Sequence, residues 1–160
     1  MKSIDIANGL VFKALHIGKS TFNERLVCQK KIYLLQFLGS DLGYEYNWYM
    51  RGPYSPSLTS YVYSNLELLE NSDLTNFTLN ANVESNIKKV NSLEGKRDTE
   101  LTPPLWYELL ASLLYINDNK ASWNVEDDQD LYKKLIEMKP QFNTEQCEHG
   151  MKVLREEQFI

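Results

Sequence analysis

The sequence predicts a mainly α-helical single domain with a minor β element, and three observations carry that prediction. Apolar residues recur at intervals of three and four in segment after segment, the spacing that gathers them on one helical face. Start and stop residues stand at the segment edges, with Gly39 after one run and Ser55-Pro56 and Thr102-Pro103-Pro104 before two others. Only one passage, Tyr44 to Tyr49, alternates with the period of two that marks a strand.

Taken in order, Ile6, Leu10, Val11, Leu15 and Ile17 predict an amphipathic helix over 4–17, stopped by Gly18. A second helix is expected from about Asn23 to Leu38, with Leu26, Val27, Leu34, Leu35, Phe37 and Leu38 inward, Gly39 at C′ and the basic pair Lys30-Lys31 near its middle. Beyond Gly43, Tyr44, Tyr46 and Trp48 alternate with Glu45, Asn47 and Tyr49, an aromatic-faced strand. Arg51-Gly52-Pro53 is expected to break it, because proline cannot donate to a ladder and glycine frees the turn, with Gly52 at positive φ. Ser55 then reads as an N-cap with Pro56 at the first helical position, opening a helix to about Glu70 that buries Leu58, Tyr61 and Val62.

The polar stretch 71–82 contains a candidate strand at 76–79. Val83, Ile87, Val90 and Leu93 fall at helical spacing, and 95–100 is charged enough to be an exposed loop. The run LWYELLASLLYI, ending at Ile116, is apolar almost all round and therefore central to the core, with a turn expected at 117–120. Leu131, Leu135, Ile136 and Met138 form the buried side of a helix over 127–139, ended by Pro140. Thr144 to Glu156 is the last helix, capped by Asn143 or Thr144.

A chain of 160 residues with 42% hydrophobic and 24% charged residues is long enough to bury a core. The N-terminal passage is interrupted by Asp5, Asn8 and Lys13 and does not read as a signal peptide, and no apolar run suits a membrane span. With only Cys28 and Cys147, far apart and outside any CxxC pair, a cytoplasmic location is expected. The net charge of −5 is divided unevenly. Residues 1–60 hold seven Lys and Arg against four Asp and Glu, and the remainder hold ten against eighteen. The acidic remainder repels a phosphate backbone, so any nucleic-acid contact falls to the first third of the chain.

No catalytic constellation stands out. His16 and His149 lack neighbours at metal-ligand spacing, so no metal or other cofactor is expected, and no nucleophile elbow, P-loop or dinucleotide fingerprint occurs. His149 reads as solvent-facing, His16 as a cation favouring a helix C-terminus, and the cysteines as small core residues. The expectation is a non-enzyme.

The passage YNWYMRGPYSPSLTSYVY is different, with six aromatic residues in eighteen positions around an arginine. Together with QKKIYLLQFLG it resembles the lysine- and leucine-rich helix and the Trp-containing Gly-Pro turn of the SocA-like Panacea domain, and is closer still to the YwgA-like bacterial and archaeal proteins. The resemblance covers Leu26 to about Tyr63. It implies a compact helical domain that in many Panacea proteins is an antitoxin, neutralising a toxin by direct protein binding. Matched by position, the motif residues are Lys31, Tyr33 and Leu34 on the helix and Trp48, Gly52, Pro53, Ser55 and Leu58 at the turn, with a largely architectural role. Arg51 and Tyr54 depart from the Panacea form.

Two functional readings follow. One is a protein-interaction module, an antitoxin or adaptor, that uses Arg51, Tyr49, Tyr54, Trp48 and Lys31 against a protein partner while Gly52, Pro53, Ser55 and Pro56 shape the turn. A guanidinium among aromatic faces stacks on them and still presents a bidentate fork to a carboxylate or phosphate. The other is a DNA-binding regulator, in which the N-terminal helices, strand and turn form a winged-helix-like unit and Lys30, Lys31, Arg25 and Arg51 touch phosphates. Ten Tyr and three Trp leave room for a homodimer surface.

Overall fold

The computed structural model describes residues 1–160. Eight α-helices and one two-stranded antiparallel sheet form a mainly-α fold. Helix α1 (Ser3–Ala14) stops earlier than Gly18. His16 takes the left-handed conformation at φ 55°, its N–H donating to Lys13 O and that of Ile17 to Phe12 O, so a histidine does the work usually left to glycine.

Helix α2 (Phe22–Phe37) begins on a capping box: Thr21 accepts from Glu24 N and Glu24 accepts from Thr21 N. It ends as expected, with Gly39 at φ 104° and Ser40 N donating to Leu35 O. Strand β1 (Asn47–Tyr49) pairs with β2 (Gly52–Tyr54), Trp48 opposite Pro53, in a hairpin closed by Met50 and Arg51. The Gly-Pro pair therefore continues the sheet where a break was expected. Pro53 directs its carbonyl out of the ladder towards α2, at a position where the missing N–H costs nothing.

Helix α3 (Pro56–Asn71) starts on the expected cap, Ser55 Oγ accepting from Leu58 N. Asn65 interrupts it at φ −124° and donates from its side chain to Tyr61 O. Leu58 and Val62 are buried, whereas Tyr61 is half-buried and donates to Asp5. The strand expected at 76–79 does not form, because that segment meets no partner strand and runs as a loop anchored by the buried Leu74. Helix α4 (Ala81–Ser92) is capped by Asn80, and residues 94–96 add a 3-10 turn to a connection expected to be irregular.

Helix α5 (Pro103–Asp118) is the centre of the fold, packing on α2, the helices α7 (Asp128–Met138) and α8 (Thr144–Glu156), and β2. Its residues 106–114 are all buried, as the unbroken apolar run requires. The expected turn at 117–120 narrows to Asn119, after which the short α6 (Lys120–Trp123) follows. Asp127 caps α7 and an Asn143–Gln146 box caps α8. Met138, expected inside, lies exposed at the end of α7. One continuous cluster of 33 buried apolar side chains runs from Val11 to Phe159, so the helices share a single core. No helix is long and apolar enough to cross a membrane.

Candidate functional site

The hairpin divides its residues between two sides. Along β1, Trp48 turns inward, edge-on to Trp123 at 4.8 Å and tilted against Tyr115 at 5.7 Å, while Tyr49 turns outward. Gly52 sits at φ 87° directly over α5, where an added Cβ would stand 2.5 Å from Ser112 Oγ. Both the backbone angle and the close approach demand glycine.

Buried polar groups grip the hairpin from beneath. Lys30, only 1% exposed, donates to Pro53 O at 2.6 Å. Lys139, following α7, donates to Met50 O at 2.7 Å and pairs at 3.0 Å with Glu108 of α5. Its ammonium also lies 5.4 Å from the Trp48 ring. Burial pushes the Lys30 ammonium down to about 7, because the desolvation outweighs the opposing pull of Glu108 and is reinforced by Lys139 and Arg51. Ser112 Oγ is buried with no protein hydrogen-bond partner. On the neighbouring side, the Gln29 carboxamide accepts from Ser55 N and donates to Ser55 O and Thr59 Oγ, each at 2.9 Å. Tyr46 OH donates to Gln29 O at 2.7 Å. The turn before α3 is thus fixed by main-chain and side-chain bonds to α2.

The outer side is apolar and cationic. Met50 is 91% exposed at the tip, Tyr49 44%, Phe22 54% and Tyr63 61%. Arg51 lies over the Phe22 ring with its guanidinium carbon 5.1 Å from the centroid, and Arg25 lies 5.6 Å over Tyr63. Arg25 also donates to Ser20 O at 3.1 Å, whereas Arg51 makes no hydrogen bond at all. Tyr54 stands edge-on to Tyr49 at 5.3 Å and shares a hydrogen bond with Thr59. A groove of about 160 Å³ opens among Phe22, Arg25, Leu26, Tyr54, Thr59 and Tyr63.

The residues singled out in the sequence therefore fall into two groups. Arg51, Tyr49 and Tyr54 meet at the outer surface, and Phe22, Met50 and Tyr63 join them. Trp48, Gly52, Pro53, Ser55 and Pro56 build the corner beneath. Lys31 stands apart: its ammonium donates to Leu15 O at 2.8 Å and lies 5.4 Å from the Tyr107 ring, tying α1 to α2, with burial lowering its pKa. Lys30 is no phosphate ligand, since its ammonium is enclosed and bonded to the hairpin.

Glu108 and Lys139 were not singled out in the sequence. The signal for Glu108 was one acid inside an apolar run, which needs an opposite charge once desolvated, whereas Lys139, just past the end of α7, carried no such signal. Other expectations also shift. His149 is half-buried, its Nε2 hydrogen-bonded to Lys96 O at 2.8 Å and its ring tilted against Trp106, because α8 turns that face onto the loop before α5. His16 serves as the left-handed stop of α1. Cys28 and Cys147 are buried and burial pushes both thiols up to about 12, which leaves them unreactive in the core.

The largest cavity, about 810 Å³, lies elsewhere, between α1, the end of α2 and α4. Two of its amides are committed to capping and loop bonds, Asn80 to Val83 N and Asn86 to Leu38 O and Ser40, and no buried charged group faces it. Nowhere do three or more His, Cys, Asp or Glu side chains gather as a metal would require.

No protein-family model matches the chain, and comparison with curated proteins and with solved structures likewise finds no match.

Proposed function

We propose that this protein is a protein-interaction module of the antitoxin or adaptor kind, which engages a protein partner through the outer side of the hairpin. The observation that carries the proposal is the tip itself: Tyr49, Met50, Arg51 and Phe22 stand exposed together on a backbone held from below by Lys30 and Lys139. Aromatic, methionine and arginine side chains are enriched at interfaces and dominate their hot spots. A backbone fixed in advance spares the ordering cost of binding. The resemblance of Leu26 to Tyr63 to the Panacea domain implies the same kind of partner.

The test is affinity purification of the protein from its native cells, with and without nuclease, beside a Met50→Asp variant. A stoichiometric protein that survives nuclease and is lost from the variant is the expected result. Co-purification that nuclease abolishes would replace this reading with the DNA-binding one. A partner retained equally by wild type and Met50→Asp would move the interface away from the hairpin.

A further inference from the structure

Of the four arginines in the chain, Arg97 and Arg155 are ion-paired, whereas Arg25 and Arg51, at this end of the molecule, are not. All six ion pairs lie between residues 94 and 157, and neither Arg25 nor Arg51 takes part in one. The nearest acid on α2, Glu24, is turned to Thr21 as part of the capping box. Arg51 leaves all its donors free. Both guanidinium groups are nevertheless positioned, each laid over an exposed ring. Phe22 and Arg25 are three residues apart on α2 and hence neighbours on one face, roughly 5–6 Å between Cβ atoms. Along the surface the order is Arg51, Phe22, Arg25, Tyr63, with the small groove opening beside them.

We propose that this row recognises an acidic segment of the protein partner, with two carboxylates within four positions of each other bracketing an apolar side chain. The proposal rests on the protein-interaction reading and specifies the partner's chemistry. The carboxylates pair with Arg51 and Arg25, whose planar forks donate to both carboxylate oxygens while the rings behind exclude water. The apolar side chain enters the groove at Phe22, Leu26 and Tyr63. Charge favours a peptide over a nucleic acid. Only a few cations face this surface on a chain of net charge −5, too few to neutralise a run of phosphates. Exposed Met50 and Phe22 also offer apolar area that a phosphate backbone does not use.

The test is selection from a random displayed peptide library of about twelve positions on the full-length protein, repeated with an Arg25→Gln/Arg51→Gln double variant. The expected result is enrichment of peptides with two Asp or Glu within four positions around a Leu, Ile, Met or aromatic residue, and loss of that enrichment on the double variant. A synthetic peptide from the selection should bind at least about tenfold more weakly to the double variant and progressively more weakly as salt rises. Arg51→Lys, which keeps the charge and loses the fork, should recover only part of the loss. Selected peptides without acidic enrichment, or acidic peptides bound equally by the double variant, would overturn the proposal. So would displacement of the peptide by a single-stranded oligonucleotide that itself binds more tightly. A native partner lost from Met50→Asp but kept by the double variant would refute the acidic segment and leave the interaction module standing. A partner kept by both would refute the acidic segment and move the interface away from the hairpin.

Discussion

The inner and outer sides of one short hairpin use positive charge in opposite ways. Inside, Lys30 and Lys139 are committed to carbonyls of the hairpin, and Glu108 pairs with Lys139 while its charge also acts on Lys30. Outside, Arg51 has no hydrogen-bond partner and rests on Phe22. The choice of residue follows the task. A compact ammonium on a flexible stem reaches a single buried carbonyl, whereas a planar guanidinium stacks on a ring and keeps its donors outward. A hairpin of three-residue strands has too few ladder bonds to hold itself, so the buried ammonium groups supply the rigidity that the exposed side exploits.

The largest break in this contrast is expected on the inner side. Glu108→Ala leaves two ammonium groups enclosed without a carboxylate and should lower stability by about 3–5 kcal/mol in urea denaturation. A loss under about 1 kcal/mol would mean the cluster is solvated. Gly52→Ala should cost about 2–3 kcal/mol, since it adds left-handed strain to the contact with Ser112 Oγ. Ser112→Ala leaves the nearest atom an ordinary 3.8 Å away, so Gly52→Ala in that background should cost only the strain, about 1 kcal/mol. Equal costs in the two backgrounds would show that the hairpin shifts to avoid the contact.

The pH dependence of Lys30 sharpens the same comparison. Its folded pKa, about 7, lies below the ordinary 10.5, so between these values the unfolded chain binds more protons and stability rises with pH. Wild type should gain on a Lys30→Met variant by up to about 1.4 kcal/mol per pH unit between pH 7 and 9, the two thiols being common to both proteins and cancelling in the comparison. Parallel pH profiles for the two proteins would show that Lys30 keeps its ordinary pKa. The smallest effect belongs outside: Arg51→Ala should leave stability within about 0.5 kcal/mol of wild type.

The sequence made some of this division legible. The apolar run from Leu105 to Ile116 announced the central helix because nothing in it offers a solvent face except Glu108, and Ser55-Pro56 announced α3 because cap and proline act locally. Strand β2 was hidden because Gly-Pro is ordinarily a break, and only the placing of Pro53 opposite Trp48, where the ladder asks no N–H of it, makes it tolerable. The α1 stop was hidden because His16 occupies a conformation usually read from glycine. At the site, Tyr49, Arg51 and Tyr54 stood out through local density. Phe22, far back in the chain, joins them only through tertiary packing, and Lys139 reaches Met50 across 89 positions of chain.

The central claim is that the hairpin's underside serves folding and its outer side serves binding. Its most direct test is Arg51→Ala, read by thermal unfolding and by affinity for the protein that co-purifies with wild type. The account predicts an unchanged melting temperature with affinity weakened by about 1 kcal/mol or more. A lowered melting temperature with unchanged affinity would contradict it.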